Sequence, residues 1–519
     1  MRTNNIPASL DIALLQSFLI YIVLAIFLFP HFQYQLNPDG ISYMGIAQKY
    51  VLHDYGNAIN GYWGPLISWL MVPFLVVGLK PLVAANLLLI IIGFTVIIQS
   101  NSLIKKLNIN LLLRFVTLSL ITIIVIFFAF YAITPDLLFV SFSLVFINKI
   151  LNPSFTNKKY GGVLFGLIGS ALYLTKNFGF PFFITSYFIV SLLFYLRTEN
   201  LIDKRRIITN YISGMCVFLL FSGCWILLIS HKYGHLVIGT AGIYNRILTG
   251  PHSLGHPMFY AGLFDPPNNS AICIWEDVSR LKYPAWNMFN SINSLFFELR
   301  TFCRNLLGIM TFLSEFSLLL IPLLSIAIVC LLKSGRKFVF DNIFYLILIL
   351  AILFFGYAMI AVDPRFFWLI DIVTIIIGAK FLNLLFDKAL IRKFYKVILI
   401  GIFVISFLVQ PVKLIYRSLD NGNYVYELSN RISKLNVNGR IASIGDWQMS
   451  YYISFFNNWQ YYGRSGNNDE TYLENELKNK KIDYYFVWES YENKIKFLEK
   501  YQEITGGNIA GLRIYKLKQ

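Results

Sequence analysis

Between residues 10 and 410 the chain repeats one pattern, an apolar stretch closed by a short polar link, and that pattern leaves it few folds to choose from. The runs occupy 10–29, 82–103, 111–131, 137–151, 161–175, 178–196, 207–230, 306–332, 343–362, 366–386 and 397–410. In hydrocarbon every backbone N–H and C=O must be satisfied within the spanning structure, so runs of this length are helices. The expectation is a polytopic α-helical membrane protein of about eleven spans. Composition agrees, with 57% hydrophobic and only 14% charged residues. The first run is too long for a signal h-region and has no A-x-A site, so it is expected to stay as the first span.

The formal charge of +17 does not point to nucleic acid, because the Lys and Arg cluster in links between apolar runs and form no basic stripe. It fits the positive-inside rule. Segment 64–79 decides the sidedness. It is short, carries Pro65 and Pro73, and reads as interfacial or re-entrant. If it returns to the side it came from, Lys105/Lys106, Lys158/Lys159, Arg197 with Lys204, Arg205 and Arg206, Lys333/Arg336/Lys337 and Lys388/Arg392/Lys393 all become cytoplasmic. The N-terminus is then inside and the C-terminus outside. Asp39, Asp136, Lys176 and Arg365 share the extracytoplasmic face.

The domain expectation follows. Residues 1–412 form the membrane domain, with an outer loop at 31–80 carrying surface helices and an outer lid loop at 231–304 rich in turn formers. Residues 413–519 alternate strand-like runs (440–444, 482–488, 511–517) with helix-like ones (471–480, 492–501), as a small extracytoplasmic α/β domain would. It has no Gly-rich phosphate motif. No inverted transporter repeat is evident. The cysteines form no metal or disulfide framework, with a Cys273–Cys303 bridge the sole conceivable pair.

Carboxylates at the mouth of a membrane protein are costly and usually functional. Asp39 precedes a helix-like stretch at 41–52 and Asp136 opens a span, so each is either a helix cap or an acid of the active site. Lys176 either snorkels or contacts phosphate, and Arg365 either pairs with Asp363 or does the same. Two acids beside two cations suit the departure of an anionic group, since Lys and Arg stabilise phosphate oxygens as charge develops. Tyr43, Tyr62 and Trp63 in the first outer loop, with Arg246 and Glu276 in the lid, complete the substrate-binding candidates. Tyr244, Asp265 and Trp275 are further lid candidates for a sugar or acceptor. His252 and His256 are four apart, but Pro251, Gly255 and Pro257 argue against a helix, so ordinary loop histidines are favoured over zinc ligands. No metal ligand set is assigned. A divalent ion shared by the two acids and bound phosphate is conceivable.

Taken in order, Pro38-Asp39 with Tyr43, Ile46 and Ala47, then Pro65-Leu66 with Trp69-Leu70, Pro135-Asp136, Leu174-Thr175-Lys176 and Arg365-Phe366 resemble the GT-C superfamily of membrane glycosyltransferases. The similarity is to its aminoarabinose-transferase and protein O-mannosyltransferase-like branch and covers roughly the first 400 residues. The resemblance implies transfer of a sugar, with inversion, from a polyprenyl-phosphate carrier to a glycan, lipid or protein acceptor on the outer face. It implies Asp39 as the catalytic carboxylate, Asp136 as the second acid, and Lys176 and Arg365 beside the lipid phosphate. This chain departs from the branch at Gly40, where an acid is common, and at Trp63-Gly64, where an acid-Lys pair precedes the proline. The alternatives are a lipid-linked glycan polymerase or ligase, and a transporter or flippase. High Lys, Asn, Ile, Phe and Tyr usage points to an AT-rich bacterial genome and a plasma-membrane location among its lipids.

Overall fold

The computed structural model describes residues 11–152, 161–251, 262–281, 286–334, 341–387, 392–466, 469–489 and 495–518. His252, His256, Lys158, Lys159, Arg336, Lys337 and Lys388 lie outside the described residues, as do residues 492–494; the rest of the helix-like run 492–501 holds a short 3-10 helix at Lys496–Lys500.

All eleven apolar runs are helical. In chain order the helices are α1 (Ile12–Phe32), α2 (Pro38–Val51), α3 (Tyr55–Ala58), α4 (Pro65–Val76), α5 (Pro81–Lys106), α6 (Leu111–Tyr131), α7 (Asp136–Ile150), α8 (Gly161–Thr175), α9 (Gly179–Arg197), α10 (Leu201–Tyr233) and α11 (Ala241–Thr249). After the lid come α12 (Ile292–Phe316), α13 (Leu320–Lys333), α14 (Asn342–Ala358), α15 (Trp368–Phe386) and α16 (Lys393–Ser418). Among the described residues seven helices are long and apolar enough to cross a membrane, or eight if the bent pair α12 and α13 counts as one span, and the chain is a multi-pass membrane protein. Runs 137–151, 161–175 and 343–362 form the shorter helices α7, α8 and α14. With 12 residues, α4 is about 18 Å long, well short of the roughly 30 Å hydrocarbon core.

One expectation is corrected. The run 306–332 is not one continuous helix. It bends by 111° between α12 and α13. Ser317 at the break is extended (φ −158°, ψ 131°), and its hydroxyl is 2.8 Å from that of Ser406 on α16. Helix α12 buries only a narrow stripe, Thr301, Asn305, Ile309 and Leu313, while Ile292, Phe296, Leu299 and Leu307 stay exposed. That pattern suits a helix lying in the interface, with its apolar side in lipid.

Beyond α16 the chain forms α17 (Asn421–Ser433), β1 (Arg440–Ile444), α18 (Trp447–Asn457), β2 (Gln460–Arg464), α19 (Glu470–Asn479), β3 (Tyr484–Trp488), β4 (Gln502–Glu503) and β5 (Leu512–Lys516). The sheet order is β2-β1-β3-β5-β4, parallel among β2, β1 and β3 and antiparallel thereafter. The α/β expectation identified β1, β3, β5 and α19. It lacked β2 and α18.

Two contacts seat this domain on the membrane part. Tyr34, in the loop after α1, stacks on Tyr426 of α17 with ring centroids 3.8 Å apart, and His31 lies 3.1 Å from Asp420. The lid segment 262–272 runs along the free edge of β2. Gly262 N–H donates to Arg464 O and Phe264 N–H to Tyr462 O, both at 2.7 Å, while Tyr461 N–H donates to Ile272 O at 2.6 Å. An exposed sheet edge is a pairing template, and here the lid covers it.

Candidate active site

Asp39 is not a helix cap. Asn37 takes the N-cap position of α2, and its side-chain oxygen accepts from Ile133 N–H instead. Asp39 sits in the first helical turn, where the N-terminal dipole favours an anion. One of its oxygens accepts from Trp275 Nε1 at 3.1 Å and the other from Arg365 at 3.1 Å. Arg365 reaches it from the short 3-10 turn before α15 and also holds Asp363 through two side-chain donors, at 3.0 and 3.2 Å. Three of its five N–H donors are thus used, and two remain.

Asp136 stands in the first turn of α7, capped by Pro135, and its carboxylate meets Lys176 Nζ at 2.7 Å. Lys176 also lies 3.5 Å from the centroid of the Phe366 ring and 5.0 Å from that of Tyr357. Phe366 neighbours Arg365 in the chain, so the two ion pairs are joined through that dipeptide. The result is one continuous cluster, Trp275, Asp39, Arg365, Lys176 and Asp136, drawn from five distant parts of the sequence. Counting Asp363, three carboxylates face two cations.

Aromatic rings wall this cluster. Tyr43 is buried and packs edge-on to Trp63, with centroids 5.0 Å apart. Tyr62 packs edge-on to Trp63 and Tyr244 and donates to Asn245 at 3.2 Å. Burial, with the Asp39 and Asp136 charges adding to it, holds the Tyr43 hydroxyl well above the usual phenol range. Burial and the Asp39 charge do the same for Tyr62. Both rings therefore stay protonated hydrogen-bond donors across any physiological pH. Asn60 organises this loop, its side-chain oxygen accepting from Tyr62 N–H and Trp63 N–H. An Asn-Gly pair is a turn signal that the sequence carries openly.

The loop around Trp275 packs against the same end. The Trp275 carbonyl accepts from Ser42 and from Trp63 Nε1, which fixes the indole against Asp39. Burial pushes the neighbouring Cys273 thiol up to about 12. Cys273 and Cys303 form no disulfide, so the conceivable bridge is absent. Trp275→Phe keeps the ring and loses the N–H donor. A five- to tenfold fall in turnover is expected from the loss of roughly 1–1.5 kcal/mol of positioning, with a lower thermal midpoint because the smaller ring leaves a gap against Tyr62, Trp63 and Tyr244.

Two substrate candidates stand elsewhere. Glu276 forms a buried pair with Lys49 at 2.8 Å, and its backbone carbonyl accepts from Asn60. Burial raises its carboxyl despite the Lys49 ammonium beside it. Arg246 pairs with Glu298 of α12 at 3.0 Å, at the rim. Asp265 meets Lys480 at 2.6 Å and helps tie the lid to the C-terminal domain. A residue absent from the sequence candidates, Tyr452 of α18, lies close enough for the Asp39 charge to raise its hydroxyl further after burial has done so. Among the described residues no group of three His, Cys, Asp or Glu side chains is arranged to hold a metal.

The architecture, a helical membrane domain followed by a small C-terminal α/β unit, has solved counterparts. ArnT from Cupriavidus metallidurans, bound to undecaprenyl phosphate, superimposes with a TM-score of 0.52 at 12% identity over 96% of this chain and 97% of that one. The chain has the GT-C fold. A second GT-C structure, the oligosaccharyltransferase AglB from Archaeoglobus fulgidus in complex with an inhibitory peptide and a dolichol-phosphate, gives 0.51 at 12% identity over 92% of this chain and 69% of AglB. No protein-family model and no curated protein sequence matches the chain.

The two departures from the GT-C pattern have a steric cause. A Cβ on Gly40 would lie 2.7 Å from Ile133 Cβ and 2.8 Å from the Asn37 side-chain oxygen, so no acid fits there. A Cβ on Gly64 would overlap the backbone carbonyl of Thr175, the residue before Lys176. Gly64→Ala is therefore expected to lower the thermal midpoint, since backbone cannot rotate aside as a side chain can. The cost is on the order of 1–3 kcal/mol, and donor KM rises as Lys176 shifts. Thermal unfolding and initial rates check both effects.

Proposed function

We propose that the chain is an inverting glycosyltransferase that moves a sugar from a polyprenyl-phosphate carrier to a glycan, lipid or protein acceptor, on the extracytoplasmic face of a bacterial plasma membrane. The observation that carries this reading is the Asp39 carboxylate, held from both sides by Trp275 and Arg365 beneath the aromatic wall. The fold shared with ArnT and AglB, structures containing polyprenyl-type phosphates, supports it.

Each Asp39 oxygen uses one lone pair for its donor and keeps another for a proton. The acceptor O–H or N–H gives its proton to Asp39 as its heavy atom bonds to the anomeric carbon. The bond from that carbon to the carrier phosphate breaks on the opposite side, and its electron pair leaves on the phosphate oxygen. Configuration inverts. The spare donors of Arg365 and Lys176 take up the growing phosphate charge, while Asp136 fixes Lys176 in place. Trp63, Tyr43 and Tyr62 line the sugar side, with the Tyr43 phenol as a neutral donor and the Tyr62 hydroxyl, which donates to Asn245, as an acceptor. The lid excludes water, which would otherwise compete as acceptor.

Deleting the gene tests the reading in cells. One polyprenyl-phosphate-linked sugar should accumulate in the lipid extract while the matching envelope sugar disappears. An unchanged lipid-linked pool overturns it.

A further inference from the structure

A cavity of about 280 Å³ opens beside α2, where three distant stretches of chain meet. Residues 45–52 of α2 form one wall, lid residues 269–272 a second, and residues 458–460, the turn from α18 into β2, the third. At that turn Asn458 takes the left-handed conformation (φ 57°, ψ 41°) that ends α18, and the next two residues, Trp459 and Gln460, line the cavity. The lid holds Gln460 in place. Its side-chain nitrogen donates to the backbone carbonyls of Asn268 and Asn269 at 3.2 and 3.4 Å, which leaves its side-chain oxygen as an acceptor.

Trp459 is the unusual group. The indoles of Trp63, Trp275, Trp286 and Trp488 all donate to protein oxygens. Trp459 is as buried, at 7% exposed, yet its indole N–H has no hydrogen-bond partner among the described residues. It is not one of the orphaned polar atoms sealed inside the protein, so it keeps accessible surface in a residue that lines the cavity. A fixed acceptor and an unused donor therefore stand on adjacent residues, with the exposed Gln48 and Asn458 amides nearby.

Charge narrows the ligand. Among the described residues Lys49 is the one cation lining the cavity, and the two Glu276 oxygens hold its ammonium at 2.8 and 2.9 Å. Arg440 stands opposite Gln460 in the sheet, but its guanidinium lies over the Tyr462 ring, 6.0 Å from the centroid, and is no part of the lining. No Asp or Glu lines the cavity. Neither an anion nor a cation is matched, whereas hydroxyl groups, which accept and donate, suit both the indole and the Gln460 oxygen. A peptide strand has no free edge to join here, because lid residues 262–272 already pair with the outer edge of β2. The chemistry is that of an uncharged saccharide.

Position narrows its role. At 1.5 Å per residue, Gly45 lies about 9 Å and Leu52 about 20 Å along α2 from Asp39, further than one sugar on the carrier extends. One Asp39 oxygen faces Arg365, the other Trp275, and the residue after Trp275 is the Glu276 that holds Lys49 in the cavity wall. The cavity thus adjoins Asp39 through Trp275, away from the cations assigned to the leaving phosphate. In an inverting displacement that is the side from which the acceptor comes.

We propose that this cavity is an acceptor subsite, and that the acceptor is an uncharged oligosaccharide with an inner sugar on Trp459 and Gln460 and its terminal hydroxyl at Asp39. The assignment rests on the transferase reading and narrows its acceptor to a glycan.

Retention on the immobilised full chain in nanodiscs tests it. Three pools from the envelope are applied, neutral oligosaccharides and acidic oligosaccharides released by mild acid, and peptides from a tryptic digest, and retained species are quantified by mass spectrometry. Neutral oligosaccharides should be retained at least about fivefold over empty nanodiscs and over the acidic pool. Trp459→Phe removes the N–H donor and should lower retention about five- to tenfold, as the loss of one hydrogen bond does. Gln48→Trp fills the cavity from an exposed position, so the fold is little affected, and should lower it likewise. Asp39→Asn should keep most of the retention, since binding needs no proton transfer. No retained neutral oligosaccharide, preference for the acidic pool, retained peptides that Gln48→Trp loses, or retention unmoved by both cavity substitutions overturns the subsite. A chain that retains neutral glycan as expected but consumes no polyprenyl-phosphate-linked sugar contradicts the transferase reading instead.

Discussion

Asp39→Asn is expected to lower the turnover of sugar transfer by roughly 10²–10⁴-fold, the usual contribution of a positioned general base. The amide matches the carboxylate in shape, so the wall of Tyr43, Tyr62 and Trp63 stays packed. Arg365 keeps Asp363 as a partner, which limits the loss of stability. The acceptor proton, however, has no acceptor of the right kind. Initial rates with a polyprenyl-phosphate-linked sugar, alongside a thermal melt showing a folded protein, provide the check. A folded variant with the wild-type rate would remove Asp39 from the chemistry.

Arg365→Ala has the second large expected effect, because one guanidinium serves two carboxylates. Removing it leaves Asp39 and Asp363 facing each other without a cation. Breaking a buried pair costs about 3–5 kcal/mol, but Asp363 is 35% exposed, and solvent screening brings the expectation to about 2–4 kcal/mol. Turnover should fall at least about a hundredfold as well, since the base loses its orientation and the leaving phosphate a donor. Arg365→Lys separates the two contributions. A lysine restores charge and much of the stability, yet a single ammonium cannot reproduce the fork that spans both acids. Rate should therefore remain low while the melting temperature recovers. Equal recovery of both would show that Arg365 supplies charge alone.

How much of this was legible in the sequence depended on whether a signal was local. Asp39, Asp136, Lys176 and Arg365 each sit where an apolar run ends, and proline-acid pairs and positive-inside loops brought them to one face before any coordinates. Their mutual pairing was not legible, because Arg365 meets Asp39 across 326 positions and Lys49 meets Glu276 across 227. Glu276 and Arg246 looked like substrate ligands because a charged residue in a lid is unexplained until its partner is known. The break after Phe316 carries no Pro or Gly at residues 317–319, so an apolar run concealed two helices set at 111°. β2 escaped because its aromatic sequence, Gln460-Tyr461-Tyr462-Gly463-Arg464, contains a strand-weakening glycine and its outer edge is paired by residues 262–272, far away in the chain. Gly40 and Gly64 read as departures from a pattern, and become intelligible only when Ile133 and the Thr175 carbonyl are seen in the space a side chain would need.

The most direct measurement follows the lipid. Purified protein in nanodiscs is given the envelope lipid extract with candidate acceptors, and carrier species are quantified by mass spectrometry over time. The account predicts that one polyprenyl-phosphate-linked sugar disappears, that free polyprenyl monophosphate appears in equal amount, and that the sugar reaches the acceptor with its anomeric configuration inverted. Release of a polyprenyl diphosphate would indicate a polymerase or ligase, and movement of an intact lipid-linked sugar between leaflets would indicate a transporter. Either result would contradict the account.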